Sequence, residues 1–138
     1  MKNLKQFKKM KKSLLVLLLA VATFTSCEKE TIEPIPEPNY TVEGKWLWSP
    51  TENRADANTM FEFEDDTVYT SYCNTSNCDD DYWNSLDSTD RIPGVHIYSF
   101  DGDTLVWDGT PQAATFECDG GKLEFGNFKL WRLSSNCQ

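Results

Sequence analysis

After residue 39 the chain alternates apolar and polar positions in short runs, and turn residues interrupt the alternation about every ten residues. Successive side chains of an extended strand point to opposite faces, so this spacing predicts short antiparallel strands rather than helices. In residues 43–48, Gly44, Trp46 and Trp48 fall on one face, with Glu43 and Lys45 on the other. Residues 60–64 place Phe61 and Phe63 inward and both glutamates, Glu62 and Glu64, outward. Asp65-Asp66 then turns the chain into residues 67–73, rich in the Val, Thr and Tyr that suit a pleated, half-buried surface.

Residues 94–100 and 103–108 read as a hairpin around Asp101-Gly102, taken as a type I′ turn. Residues 113–118 and 122–125 make a second hairpin around Asp119-Gly120-Gly121, and Gly126-Asn127 leads into a last strand over 128–133. The expectation is an all-β domain of about eight strands. Tight turns make up-and-down connection the simplest topology, and closure into a small antiparallel barrel removes the exposed edges. Eight strands enclose a space just wide enough for side chains or for one small ligand. The inward candidates Trp46, Trp48, Phe61, Phe63, Leu105, Trp107, Phe116, Phe125 and Leu130 are large, so a sealed core competes with a pocket, and any ligand belongs at the open mouth.

One long loop, residues 74–93, breaks the rhythm and carries Asp79, Asp80 and Asp81 ahead of Tyr82 and Trp83. Long loops in compact domains are often functional. Residues 82–86 can also form a short helical turn that lids one barrel mouth.

The start of the chain is different in kind. Lys2, Lys5, Lys8, Lys9, Lys11 and Lys12 precede an uninterrupted apolar run over residues 14–22, too short for the roughly 20 residues of a bilayer span but right for a secretory signal. Phe24-Thr25-Ser26 follows, and then Cys27. This arrangement resembles the signal of a bacterial lipoprotein, with Phe24 standing where that family usually has Leu. The resemblance implies cleavage before Cys27, a diacylglyceryl group on its sulfur, an acyl chain such as palmitate on the new amino terminus, and a place in the cell envelope. An outer-membrane anchor facing either the periplasm or the cell surface is expected. Residues 1–26 are then the signal and 27–39 a linker. Pro34, Pro36 and Pro38, four glutamates and only two aliphatic side chains make that linker an extended tether, since it cannot bury enough apolar area to offset ordering.

Removal of the signal changes the charge. The full chain has 13 Lys and Arg against 22 Asp and Glu, for a net −9; loss of six lysines leaves seven against 22, a net −15. Nucleic acid is excluded as a partner, because phosphate neutralisation needs clustered Lys and Arg. Cys27 also accounts for the odd cysteine. Cys73, Cys78, Cys118 and Cys137 remain for two disulfides, with three pairings open, and proximity favours Cys73 with Cys78 and Cys118 with Cys137. Loop closure assigns about 2 kcal/mol to the shorter link and about 3 kcal/mol to the longer. No metal or cofactor is implied: His96 is the one histidine, and the aspartates lack the alternation and glycine of a calcium loop. With no partner for His96 in a nucleophilic arrangement, an enzyme is not expected.

Gly44-Lys45-Trp46 in the first strand and Trp131-Arg132 in the last resemble the signature of the lipocalin-like proteins. The resemblance implies that Trp46 plugs the closed end of the barrel and Arg132 lies across it, so Gly44, Trp46 and Arg132 are structural. The domain, residues 40–138, is shorter than ordinary lipocalins and lacks a long helix after the last strand. Two roles follow as expectations for a monomer. One is binding of a small apolar or amphipathic ligand at the barrel mouth, with Trp48 and Trp107 as contacts, or a scaffold role without one. The other is a surface module that binds glycan or an envelope protein through loop 74–93, with Tyr82 and Trp83 as contacts and Tyr69, Tyr72 and Tyr98 as further aromatic candidates.

Overall fold

A computed structural model describes residues 39–137, so the signal, Cys27 and all of the tether except its last residue lie outside the described residues. The domain is all-β. Its strands are β1 (Gly44–Trp48), β2 (Thr59–Glu64), β3 (Thr67–Tyr72), β4 (His96–Phe100), β5 (Thr104–Trp107), β6 (Thr110–Glu117), β7 (Lys122–Phe125) and β8 (Phe128–Arg132). They form a closed antiparallel barrel in sequence order, the up-and-down topology expected. Closure is made by β8 against β1 through Trp46↔Arg132, Leu47↔Trp131 and Trp48↔Leu130. A 3-10 turn, Arg54–Asp56, lies in the β1–β2 connection, and the long loop contains one helix, α1 (Asp80–Ser85).

Turn chemistry accounts for the differences from the expected boundaries. In the β4–β5 hairpin only Gly102 has positive φ, at 110°, and the Asp101 carboxylate accepts from the N–H groups of Asp103 and Thr104. The two turn residues are therefore Gly102-Asp103, one position later than expected, because an Asx turn takes Asp101 as its flank rather than its centre. A type I′ turn does occur, at Asp108-Gly109, with φ of 48° and 79°. It starts β6 at Thr110 rather than at 113, with Pro111 opposite Val106. Pro111 is tolerated because the β6–β7 pairing begins only at Ala114↔Phe125, leaving the missing N–H with no ladder to complete.

The barrel interior is filled. Val42, Trp46, Phe61, Phe63, Val68, Tyr98, Leu105, Ala114, Leu123, Phe125 and Leu130 form one buried cluster, with Trp48, Phe100, Trp107, Phe116 and Phe128 packed on it. All nine side chains expected inward belong to this set. A second cluster sits outside the barrel: Leu47, Ala57, Met60, Trp83 and Leu133, joined by Cys73, Cys78, Tyr82 and Leu86. Leu47 and Met60 neighbour inward residues on β1 and β2, so they face outward and are covered by α1 and its flanking loops. Helix α1 is thus not a lid over a barrel mouth. Its single buried residue, Trp83, is drawn onto the outer wall, where apolar area on β1 and β2 would otherwise meet water.

Candidate functional site

Register defines two barrel ends. One carries the start of β1 and the end of β8, where Gly44, Trp46 and Arg132 meet; the other carries Trp48 and the β5–β6 and β7–β8 turns. At the first end the Arg132 guanidinium lies 4.2 Å from the centroid of the Trp46 ring. Its nitrogens donate to the carbonyls of Gly120 (3.1 Å), Glu43 (2.8 Å) and Thr41, and burial pushes its pKa below the usual value. The Trp46 indole N–H donates to the Val42 carbonyl at 2.7 Å. Gly44 has φ of 108°, which favours glycine, and a Cβ there would stand 3.3 Å from an Arg132 nitrogen, a tight contact that would press on the guanidinium. This end is closed by residues whose polar atoms are spent on one another.

The opposite end holds two of the four expected ligand contacts. Trp107 stacks on Phe125 and Phe128 at centroid distances of 5.7 and 6.0 Å, and meets Phe61 and Phe63 edge-on at 5.5 and 5.6 Å. Trp48 packs against the same cluster and remains half-buried. These rings fill the space that a mouth-bound ligand would occupy. His96 lies beside Trp107 with its ring 5.1 Å away, and its Nδ1 is 2.6 Å from Asp108 Oδ2. The other Asp108 oxygen accepts from the Ile97 N–H, and these two bonds, the Ile97 one first, hold the Asp108 carboxyl below its usual pKa. The only histidine thus fastens β4 to the β5–β6 turn.

The other two expected contacts lie elsewhere, on α1. Trp83 is 1% exposed, which takes it out of an exposed aromatic platform. Tyr82 packs edge-on against it at 5.1 Å, and its hydroxyl lies 2.9 Å from Asn74 Oδ1 and 3.2 Å from the Tyr72 carbonyl. Of the remaining tyrosines, Tyr98 is buried inside the barrel and Tyr69 lies under Arg91, whose guanidinium is 3.8 Å from its ring. Tyr72 alone is largely exposed. No shared aromatic face results.

What the loop builds instead is a groove. An open cavity of about 730 Å³ lies outside the barrel, between the 3-10 turn and the segment from Cys73 to Asp81, with Leu47, Ala57 and Trp83 among its lining. Asp79 caps α1 by accepting from the Tyr82 N–H at 3.0 Å, and also accepts from the Asn77 side-chain amide at 2.8 Å. Cys73, at the end of β3, is paired at disulfide distance with Cys78, just before that cap; Cys118 is paired with Cys137. Arg54 reaches across to Asp80 at 2.9 Å, joining the 3-10 turn to α1. The Lys45 ammonium donates to the Leu86 carbonyl at 2.9 Å, fastening the far end of the helix to β1. Among the described residues, no three His, Cys, Asp or Glu side chains are placed to share a metal.

Arg54, Asp56 and Ala57 were not among the expected site residues. The signal for them was present in β1, where Trp46-Leu47-Trp48 is apolar on both faces, which implies cover on the outside as well as the inside. No protein-family model, curated protein or solved structure matches the chain.

Proposed function

We propose that the protein is a lipid-anchored envelope lipoprotein whose barrel is a rigid scaffold, and whose recognition surface is the external groove built by loop 74–93. Cys27 is the anchor, residues 27–39 the tether, and the domain is presented at a distance from the membrane. The observation that carries this reading is the division of space. Stacked aromatic side chains occupy the barrel interior and its mouth, whereas the concave surface lies outside, on a loop fixed by a helix cap, a cystine and an ion pair. Preorganised walls lower the ordering cost of binding. The lipocalin-like signature then serves folding rather than ligand capture, and the activity is binding without turnover.

The test uses the full chain in cells, with a photo-crosslinking amino acid placed at Ser76 in the groove or at Trp48 in the mouth. Adducts from Ser76 and none from Trp48 are expected; adducts from Trp48 alone would overturn the reading. Cys27→Ser should move the protein from the detergent phase to the aqueous phase of a detergent partition, and retention in the detergent phase would remove the anchor.

A further inference from the structure

We infer that the Cys73–Cys78 cystine is a redox switch for the groove, an assignment that rests on the groove being the recognition surface. Closed, the cystine fixes the wall over residues 73–78; opened by a dithiol, it lets that wall relax and weakens binding. Cys73 and Cys78 both line the groove, together with Ser76 and Asn77 from the segment between them. Both cysteines are half-buried, and residues 74–77 are all exposed.

Little else holds this wall. Residues 74–78 make no main-chain to main-chain hydrogen bond among the described residues. Their other bonds are local: the Thr75 hydroxyl donates to the Asn77 carbonyl at 2.8 Å, the Asn77 side-chain amide donates to Asp79 at 2.8 Å, and the Asn74 N–H donates to the Tyr82 hydroxyl at 3.3 Å. Segments held by a few solvent-exposed bonds open locally at low cost, so the cystine is what sets the path of the wall. Once it is reduced, Cys78 is free to part from Cys73, which stays at the end of β3 through its N–H bond to the Asn58 carbonyl at 2.9 Å.

Helix α1 has its own attachments. Buried Trp83, the Asp79 cap, the Arg54–Asp80 ion pair and the Lys45 bond to the Leu86 carbonyl all lie outside residues 73–78. Reduction therefore acts on one wall of the groove and leaves the helix and the barrel in place. The second cystine has the opposite setting. Cys137 is 4% exposed, and a Cβ on Gly121 would stand 2.6 Å from its Sγ, so that sulfur is packed against the β6–β7 turn and screened from an attacking thiol.

The step is thiol–disulfide exchange. One thiolate of the dithiol attacks a cystine sulfur, the S–S bond breaks, and the other cystine sulfur leaves as a thiolate and takes up a proton. The second thiol of the dithiol then loses its proton and displaces the remaining protein sulfur from the mixed disulfide, and that sulfur is protonated in turn. The protein gains two electrons and two protons as two thiols, and the dithiol leaves as a disulfide. A wall that has to be ordered on binding weakens it about three- to tenfold, the cost of fixing one side chain such as Asn77.

Dithiothreitol tests the first half, applied to the detergent-solubilised full chain and followed by iodoacetamide labelling and mass spectrometry. Cys73 and Cys78 are expected to label at concentrations that leave Cys118 and Cys137 unlabelled and tryptophan fluorescence native. Joint reduction of the two cystines, or loss of native fluorescence as Cys73 and Cys78 open, would make the link a staple and overturn the proposal.

The photo-crosslinking residue at Ser76, in membranes from cells, tests the second half. Dithiothreitol should lower its adduct yield about three- to tenfold. Cys73→Ser with Cys78→Ser should give the same low yield with or without dithiothreitol, which separates this cystine from disulfides elsewhere in the membranes. Undiminished yield in that double variant overturns the switch and leaves the groove as the site. No adduct from Ser76 in the oxidised protein rejects the groove itself, and the switch with it.

Discussion

Arg132 covers the Trp46 indole with its guanidinium 4.2 Å from the ring centroid, and the same side chain bonds three carbonyls from two distant parts of the chain. Those carbonyls belong to Thr41 and Glu43 before β1 and to Gly120 in the β6–β7 turn, so one residue on β8 ties the entry of the chain to the closed end of the barrel. The planar fork matters as much as the charge, because a lysine ammonium cannot both stack and reach three acceptors. Arg132→Lys is expected to lower stability by about 1–2 kcal/mol, the cost of losing the stack and the part-buried bond to Gly120, since the Thr41 and Glu43 carbonyls are exposed and can turn to water. Urea unfolding followed by tryptophan fluorescence measures it, and a loss under about 0.5 kcal/mol would show that the fork is dispensable.

The filled interior makes a prediction of opposite character at the other end. Trp107 touches Phe61, Phe63, Phe125, Phe128 and His96, so removing it opens a space that the surrounding rigid rings cannot close. Trp107→Ala should cost about 3–5 kcal/mol. It should also create binding of an apolar dye such as N-phenyl-1-naphthylamine that the parent protein lacks. Dye binding by the parent at equal strength would mean that an open cavity already exists.

The two cystines differ in reach and so in expected effect. Cys73 and Cys78 are five residues apart, Cys118 and Cys137 nineteen. Loop entropy assigns about 2 kcal/mol to the first and about 3 kcal/mol to the second. Paired Cys→Ser replacement should reproduce that order in thermal unfolding. The Cys73 and Cys78 pair should in addition loosen loop 74–79 specifically, seen as faster amide exchange there with β7 and β8 unchanged. Uniformly faster exchange would mean that the short link supports the barrel rather than the groove.

The barrel was legible in the sequence because it rests on short-range rules. Alternation in β2, β5 and β7 and glycine- or aspartate-rich turns specify strand, face and partner with little help from the rest of the chain. The groove was legible only in part, since α1 has six residues and one buried side chain, too short for a helical period. Where Trp83 goes depends on outward-facing Leu47 and Met60, which are distant in sequence and became neighbours only through the β1–β2 register. Arg54 entered the site for the same reason: its partner, Asp80, lies 26 positions away across the fold. Two loops had to be placed on one wall before either could be read as a site.

Tyr98 tests the barrel interior through pH. Its side chain is buried between strands and its hydroxyl donates to a Glu43 carboxylate oxygen; burial first, then that carboxylate, push its pKa well above the ordinary value of 10.0. The neutral phenol is therefore the form the native state accepts. Below pH 10 both folded and unfolded chains carry it neutral, and its contribution to stability is fully present. As pH rises past 10 the unfolded chain releases the proton while the folded chain keeps it, so the unfolded state gains and stability falls. Tyr98→Phe should be less stable at neutral pH through loss of the Glu43 bond, yet show a shallower decline between about pH 10 and pH 12. Urea midpoints across that range decide the matter: parallel curves for the two proteins would mean that Tyr98 ionises as readily inside the barrel as in water, and the closed end would then have to be open to solvent.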